Sequence, residues 1–392
     1  MPVQTSAAIP LASAAARIDS SAIRDLLHVI ERPDVISLAG GLPAAETFPA
    51  AELAAMVADI LGSDPGALQY STTEGFEPLR EWIGARHGAG TERVLVTHGS
   101  QQALDVVARA LVDPGDLVAL ADPGYVGAIQ VFRLAAAQLM AIPSDADGMQ
   151  VGALEQRLHA GARPKLVYVV ANFNNPTGAT LALERRAALG ALADRYGFVV
   201  VEDDPYGDLR WEGVALPPLA SFSDRVVTLG TVSKILCPGL RIGYAVAPPA
   251  LASSLVLVKQ ALDLHTSTLG QRAVHRLLTT PGFLAAQLDR LRPLYRDRAA
   301  ALADALRGGL GDRFRFQPPA GGMFVWGEFV EDIDTQRLLP AAVASGVAYV
   351  PGAAFAVAAD HHRALRLSFV TTPPDQLREG VRRLAAAVCR HT

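Results

Sequence analysis

The chain has 392 residues, roughly two to three times the usual size of one domain, which predicts a large domain with a smaller companion. Half of the residues are hydrophobic and 19% are charged, so a sizeable buried core is expected and general disorder is excluded. The 35 basic and 39 acidic residues nearly balance without a basic block, which argues against a nucleic-acid surface or a polybasic membrane patch. Two cysteines, Cys237 and Cys389, cannot build a disulfide framework or a cysteine metal site, and they fit a reducing, cytoplasmic setting. No apolar run reaches membrane-spanning length, and no signal-peptide pattern opens the chain. Only three of the basic residues are lysines, so each lysine in a suggestive context carries weight.

In chain order, SSAIRDLLHVIE (20–31) predicts a helix, followed by an extended Gly/Pro stretch. Short apolar runs then predict seven strands: 93–98, 116–122, 138–143, 166–170, 198–204, 225–230 and 241–247. Helical patterns lie between them, notably QQALDVVARAL opening at Ser100 and LALERRAALGALADRYG at 181–197. Strands alternating with helices imply βαβ units and a mostly parallel seven-stranded sheet covered on both faces, an α/β fold. The connection between the last two strands is too short for a helical crossover, so one antiparallel strand is expected there. Beyond Gly282 long Arg- and Ala-rich helices precede FRF, MFVWGEF and LRLSF strands, which predicts a smaller α+β domain. The implied division is an N-terminal arm at 1–50, a large domain at 51–284 and a small domain at 285–392.

In an open α/β sheet, ligands bind beyond the carboxyl ends of the strands. After RVLVTH comes Gly-Ser-Gln-Gln, a turn opening a helix, which suits a phosphate or serves as an ordinary helix cap. After LVYVV comes ANFNNPTG, a polar turn. After FVVVEDD come Asp203, Asp204 and Tyr206; paired acids there could bind a metal, transfer protons or cap a helix, and the lack of nearby His or Cys disfavours the metal. After RVVTLG comes TVSKILCPGLRIG, where apolar neighbours around Lys234 hint at a desolvated amine able to form a Schiff base. A phosphate cradle, a carboxylate with a phenol, and an amine with a nearby Arg together suit pyridoxal 5′-phosphate.

Ten ordered segments carry a family resemblance: SLAGGLPAAETFP (37–49), ALQYSTTEGFEPLRE (67–81), THGSQQALD (97–105), DPGYVGAIQ (122–130), NNPTG (174–178), VVVEDDPYGDLR (199–210), LGTVSKILCPGLRIGY (229–244), PAGGMFVW (319–326), PGAAF (351–355) and LRLSF (365–369). Through them the chain resembles the fold-type-I pyridoxal-phosphate aminotransferases of class I and II, and within these the 2-aminoadipate aminotransferase subgroup. The resemblance implies that Lys234 carries the cofactor and shuttles the substrate proton, with Asp203 against the pyridinium nitrogen. Asp203 is preferred to Asp204 because the family's acid stands three residues before its Tyr, here Tyr206. Tyr206 and Asn175 would donate to the ring oxygen and Tyr125 would stack on the ring. Ser100, Gln101, Thr231, Ser233 and Arg241 would hold the phosphate, joined by Tyr70 from the neighbouring subunit of a homodimer. Arg366 would clamp the substrate α-carboxylate beside Asn175 and Gly41, a role suited to the planar guanidinium fork.

The same resemblance makes the N-terminal helix a lid whose Arg24 and Ser21 meet the substrate side chain. The implied activity is transfer of an amino group between an L-amino acid (2-aminoadipate, glutamate, branched-chain or aromatic) and a 2-oxo acid such as 2-oxoglutarate, by ping-pong half-reactions. A lyase or decarboxylase on the same fold is the alternative. The effector domain of a transcription regulator is disfavoured, because the first matching motif begins at Ser37 and no basic recognition helix precedes it.

Overall fold

The structure is a computed structural model that describes residues 12–15, 32 and 34–391. The helix predicted at 20–31, with Ser21 and Arg24, lies outside the described residues. The first strand is β1 (Ile36–Ser37), and helices Ala50–Ser63 and Glu77–His87 follow it. Then come β2 (Val94–Thr97), helix Ser100–Leu111, β3 (Leu117–Asp122), helix Val126–Leu134, β4 (Gln138–Asp145), β5 (Gly148–Met149) and helix Val151–His159. β6 (Leu166–Val170), helix Leu183–Tyr196, β7 (Val199–Asp203), β8 (Val226–Thr231) and β9 (Gly243–Val246) complete this part. After helices Pro249–Asp263, Thr268–Thr279 and Phe283–Leu310 come β10 (Phe314–Phe316), β11 (Phe324–Phe329), β12 (Val347–Ala348), β13 (Val350–Pro351), β14 (Ala364–Ser368) and the final helix Pro374–His391.

The large sheet has the order β2-β9-β8-β7-β6-β3-β4-β5. It holds eight strands, one more than the expected seven. The addition is β5, two residues pairing antiparallel with the end of β4. So short a strand shows no alternation in sequence; the turn at Gly148, with φ of 86°, creates it. The expected reversal is present, since β9 runs antiparallel to both β8 and β2. Two reversals return β2 to the direction of β8, so Thr97, Asp122, Val170, Asp203 and Thr231 all end their strands at one edge. Strand β6 is buried along its whole length, as expected of a strand covered on both faces.

The second sheet, β10-β11-β14-β13, is antiparallel throughout. The chain start is woven into this part: β1 pairs with β12, Leu38 N donates to Ala348 O at 2.8 Å, and Ser368 N donates to Leu38 O at 2.7 Å. That threading carries the extended Gly40–Gly41 stretch past the carboxyl edge of the large sheet. Strand β9 lies so close to the Gly99 turn that a Cβ on Gly243 would meet Gly99 C at 2.4 Å and Ser100 N at 2.5 Å, both backbone atoms that cannot swing aside. Gly243→Ala is therefore expected to cost about 1–3 kcal/mol by overpacking. Gly239→Ala, with open space around its Cβ, should cost nothing comparable. Denaturant unfolding of the two variants checks the contrast, and equal stabilities would contradict it.

Candidate active site

A cavity of about 340 Å³ opens at the carboxyl edge of the large sheet, facing β11 and β14. Its lining brings together Gly41, Ser100, Gln101, Tyr125, Asn175, Asp203, Tyr206, Thr231, Ser233, Lys234, Arg241 and Arg366, twelve of the fifteen site residues expected from sequence. Tyr70 is not among them: the residue is 78% exposed and its ring packs edge-on against His265. Ser21 and Arg24 lie outside the described residues.

Each wall has a local origin. Ser100 and Gln101 open the helix Ser100–Leu111, where amide N–H groups and the positive dipole end face the cavity. Gln101 is fixed at both ends of its amide, with Nε2 donating to Gly127 O at 3.1 Å and Oε1 accepting from the Tyr125 hydroxyl at 3.2 Å. Beyond β8, Thr231 Oγ1 donates to Ile242 O at 3.0 Å and accepts from Ser233 N at 3.1 Å, curling the chain that presents Lys234. Arg241 sits at φ 53°, a conformation non-glycine residues avoid, and its Nη2 donates to His98 O at 3.1 Å. The Gly99 turn admits that guanidinium because a Cβ there would come within 2.6 Å of Arg241 Nη2.

The electrostatics are lopsided. Lys234 Nζ donates to Gly41 O at 3.0 Å, and its pKa is pushed down to about 8, first by burial and then by the Arg366 and Arg241 charges. Arg366 is fully buried, with Nη1 donating to Asn175 Oδ1 at 2.8 Å and Nη2 to Ala39 O at 2.7 Å. Its Nε has no partner among the described residues, and neither Arg366 nor Arg241 forms an ion pair there. Phe324 and Phe355 lie over the Arg366 guanidinium at 4.2 and 5.0 Å, and burial draws its pKa to about 10. Against these cations stands one carboxylate, Asp203.

Burial raises the Asp203 pKa to about 7, against the lowering effect of the Tyr168 hydroxyl, which donates to Oδ2 at 2.8 Å. Oδ1 is buried with no partner among the described residues and calls for a donor from a bound group. Asp204 faces the other way, accepting from Asn172 Nδ2 at 2.9 Å and Gly207 N at 2.9 Å. The spacing rule that chose Asp203 thus agrees with the side of the sheet on which each acid lies. Burial also pushes the Tyr125 hydroxyl up to about 12 and raises that of Tyr206, keeping both phenols protonated donors. These features fit pyridoxal 5′-phosphate: a donor-lined helix start with Arg241 for a phosphate, an orphaned carboxylate oxygen for a protonated ring nitrogen, and a desolvated amine for an aldehyde.

Residues 33–384 match the family described as aminotransferase class I and II. The chain belongs to that family. It is 42% identical to the 2-aminoadipate transaminase of Thermus thermophilus over 95% of both chains, and 41% identical to aromatic-amino-acid aminotransferase 1 of Thermococcus litoralis over 94% of this chain and 91% of that one. Among solved structures, a multiple-substrate aminotransferase from Thermococcus profundus superposes with a TM-score of 0.91 over 97% of each chain, at 41% identity. An α-aminoadipate aminotransferase from Thermus thermophilus, complexed with a phosphopyridoxyl-leucine compound, matches equally well. The protein is an aminotransferase that uses pyridoxal 5′-phosphate, and the lyase alternative is not favoured.

Three groups escaped the sequence reading. Tyr168 looked like one more apolar position in LVYVV, although a phenol inside a strand buried on both faces must find a partner, and that is the signal that could have found it. Phe324 and Phe355 were visible only as apolar residues of motifs. Tyr168→Phe leaves the Asp203 carboxylate without its one hydrogen bond among the described residues, so the cofactor-free protein should lose about 1–3 kcal/mol. Urea denaturation measures this, and an unchanged midpoint would mean that the carboxylate draws its stabilisation elsewhere.

Proposed function

We propose that the protein transfers the amino group of L-amino acids with acidic, branched-chain or aromatic side chains, 2-aminoadipate and glutamate among them, to 2-oxo acids such as 2-oxoglutarate, in ping-pong half-reactions. The observation that carries the site assignment is the charge imbalance: the desolvated Lys234 ammonium and Arg366 guanidinium, with the more exposed Arg241 beside them, face one carboxylate. Such a cavity is relieved by two anions, a cofactor phosphate at Arg241 and a substrate carboxylate at Arg366. When bound, the cofactor supplies the aldehyde carbon that takes up the amino group and an electron-poor ring that accommodates the electron pair released at the substrate α-carbon.

The chain's own residues do the rest. Ser100, Gln101, Thr231, Ser233 and Arg241 hold the phosphate. Asp203 Oδ1 keeps the ring nitrogen protonated, and its raised pKa falls back once that cation is beside it. Tyr125 covers the ring face, and Tyr206 and Asn175 Nδ2 donate to the ring oxygen, the Asn175 carbonyl being taken by Arg366. Arg366 grips the α-carboxylate near Gly41, orienting the α-hydrogen toward Lys234. Lys234 Nζ, its pKa drawn down to about 8, gives up its own proton far more readily than an ordinary lysine, and in its neutral form it would take the α-proton and deliver it to the cofactor carbon that receives the amino group.

The substrate range is supported by the names of the relatives, which span 2-aminoadipate and aromatic amino acids, and by Leu42 standing 58% exposed at the cavity rim. Arg24 is proposed to read the side chain, meeting a distal carboxylate and withdrawing for apolar groups, with Ser21 beside it. Homodimer formation is proposed from the exposed Leu68, Tyr70 and Leu264, with Tyr70 completing the neighbour's phosphate site. A cytoplasmic setting accords with free Cys237 and Cys389, and no described helix is long and apolar enough to cross a membrane.

Lys234→Ala should abolish turnover and leave no borohydride-reducible cofactor on the chain; near-native rates would refute the assignment. Cofactor attachment to the wild-type apoprotein requires the neutral amine. Its rate should rise with pH and level off above about pH 8, and a rise continuing beyond pH 10 would show an unshifted amine. A panel of amino donors with 2-oxoglutarate, assayed before and after Arg24→Ala, tests the substrate reading. The variant should lose about tenfold in kcat/KM for 2-aminoadipate and glutamate and little for leucine. Uniform rates across the panel would remove Arg24 from the site.

A further inference from the structure

The motif DPGYVGAIQ supplied Tyr125, but its first residue plays no part in the assignments above. Asp122 ends β3 at the cavity edge of the large sheet, and its side chain is buried. Four donors converge on it, all from a segment some 235 residues further along the chain. Val357 N and His361 Nε2 reach Oδ1 at 3.1 and 2.8 Å, while Ala358 N and Ala359 N reach Oδ2 at 3.0 and 2.7 Å. Three successive N–H groups form a backbone nest for the anion, and His361 closes it. A fifth bond runs alongside, with Gly124 N donating to Phe355 O at 2.9 Å. Burial would push the Asp122 carboxyl up, yet His361 and the three amides together hold it below its ordinary range.

The clasped segment follows directly on Phe355, which backs the Arg366 guanidinium from outside the cavity lining. Phe355 lies 5.0 Å under the Arg366 guanidinium and packs edge-on against Trp326 at 5.7 Å. Trp326 in turn packs against His361 at 6.0 Å, and its backbone is paired with Arg366 in the β11–β14 register. The far end of the segment packs closely on Gly352, where a Cβ would meet His361 O at 2.3 Å. Arg366 is thus held from the small sheet, while Tyr125 follows Asp122 by three residues on the large one. One carboxylate fixes the two against each other.

We infer that Asp122 is a positioning residue for substrate-carboxylate recognition: by clasping residues 357–361 it sets Phe355, and through it the Arg366 guanidinium, at the correct distance from the Tyr125 side of the cavity. This rests on Arg366 being the α-carboxylate clamp. In Asp122→Asn an amide N–H would oppose the nest of N–H donors, so the clasp opens while the cofactor site keeps all of its own residues.

The experiment uses holoenzyme with bound pyridoxal 5′-phosphate. Three quantities are compared: KM and kcat for glutamate, the dissociation constant of an unreactive dicarboxylate, and the spectral titration with methylamine, which engages the cofactor without a carboxylate. Asp122→Asn should raise KM and the dicarboxylate constant by about ten- to a hundredfold, the penalty of a misplaced clamp, with a smaller fall in kcat and the methylamine titration nearly unchanged. His361→Ala, which removes one of the four bonds at a partly exposed position, should shift the same quantities in the same direction by less, and it serves if Asp122→Asn does not fold. Losses shared equally by methylamine, or no rise in KM in His361→Ala and Asp122→Asn, would overturn the inference. Arg366→Lys is run in parallel. If it weakens carboxylate binding while the clasp variants do not, the positioning role fails alone; if it leaves carboxylate binding untouched, the clamp assignment itself fails.

Discussion

The constraint on which this structure turns is the accumulation of positive charge in one cavity, where two of the three cations have been taken out of water. Lys234, Arg241 and Arg366 converge with only Asp203 to offset them, and burial has already drawn Lys234 and Arg366 below their ordinary pKa values. A folded chain tolerates uncompensated buried cations poorly unless something else supplies the anions. The same excess of positive charge makes the cavity selective for a phosphate at one end and a carboxylate at the other. Binding energy and catalytic geometry therefore have one source.

The architecture exists to hold that imbalance in register. Two reversals around β9 align five strand ends along one edge, and each end delivers a chemically distinct group: a helix start after β2, Tyr125 after β3, Asn175 after β6, Asp203 at the end of β7 and Lys234 after β8. The opposite wall comes from the smaller sheet, through Arg366 and Phe324, and from the woven chain start, through Ala39 and Gly41. No single segment holds the site. Its parts meet because β1 is stitched to β12 and because Asn175 and Ala39 both accept from the same guanidinium.

Much of this was legible beforehand because the chemistry sits in turns at the ends of strongly patterned elements. Val, Leu and Ile runs marked the strands, and Gly-Ser, Asn-Pro and Asp-Asp marked their ends, so Ser100, Asn175 and Asp203 could be placed at one edge before any coordinates. The eighth strand was not legible, since two residues beside a glycine turn carry no period. Nor was Arg186, a charged residue of helix Leu183–Tyr196 whose side chain is fully buried. It donates to Leu181 O, Ala171 O, Pro217 O and Asn172 Oδ1, a set of carbonyls assembled only by the surrounding loops. The Asp122 clasp was hidden for the same reason, its partners being far along the chain.

The amino-acid sequence by itself determined which groups are present and at which strand end each one emerges, because periodicity and turn chemistry are local properties of the chain. The tertiary structure alone decided which way they point and what they lack. It turned Asp203 inward and Asp204 away, left Asp203 Oδ1 and Arg366 Nε without a partner among the described residues, and set Arg366 against two rings from separate segments. Those outcomes depend on burial and on contacts between distant residues, quantities that no local window of sequence contains.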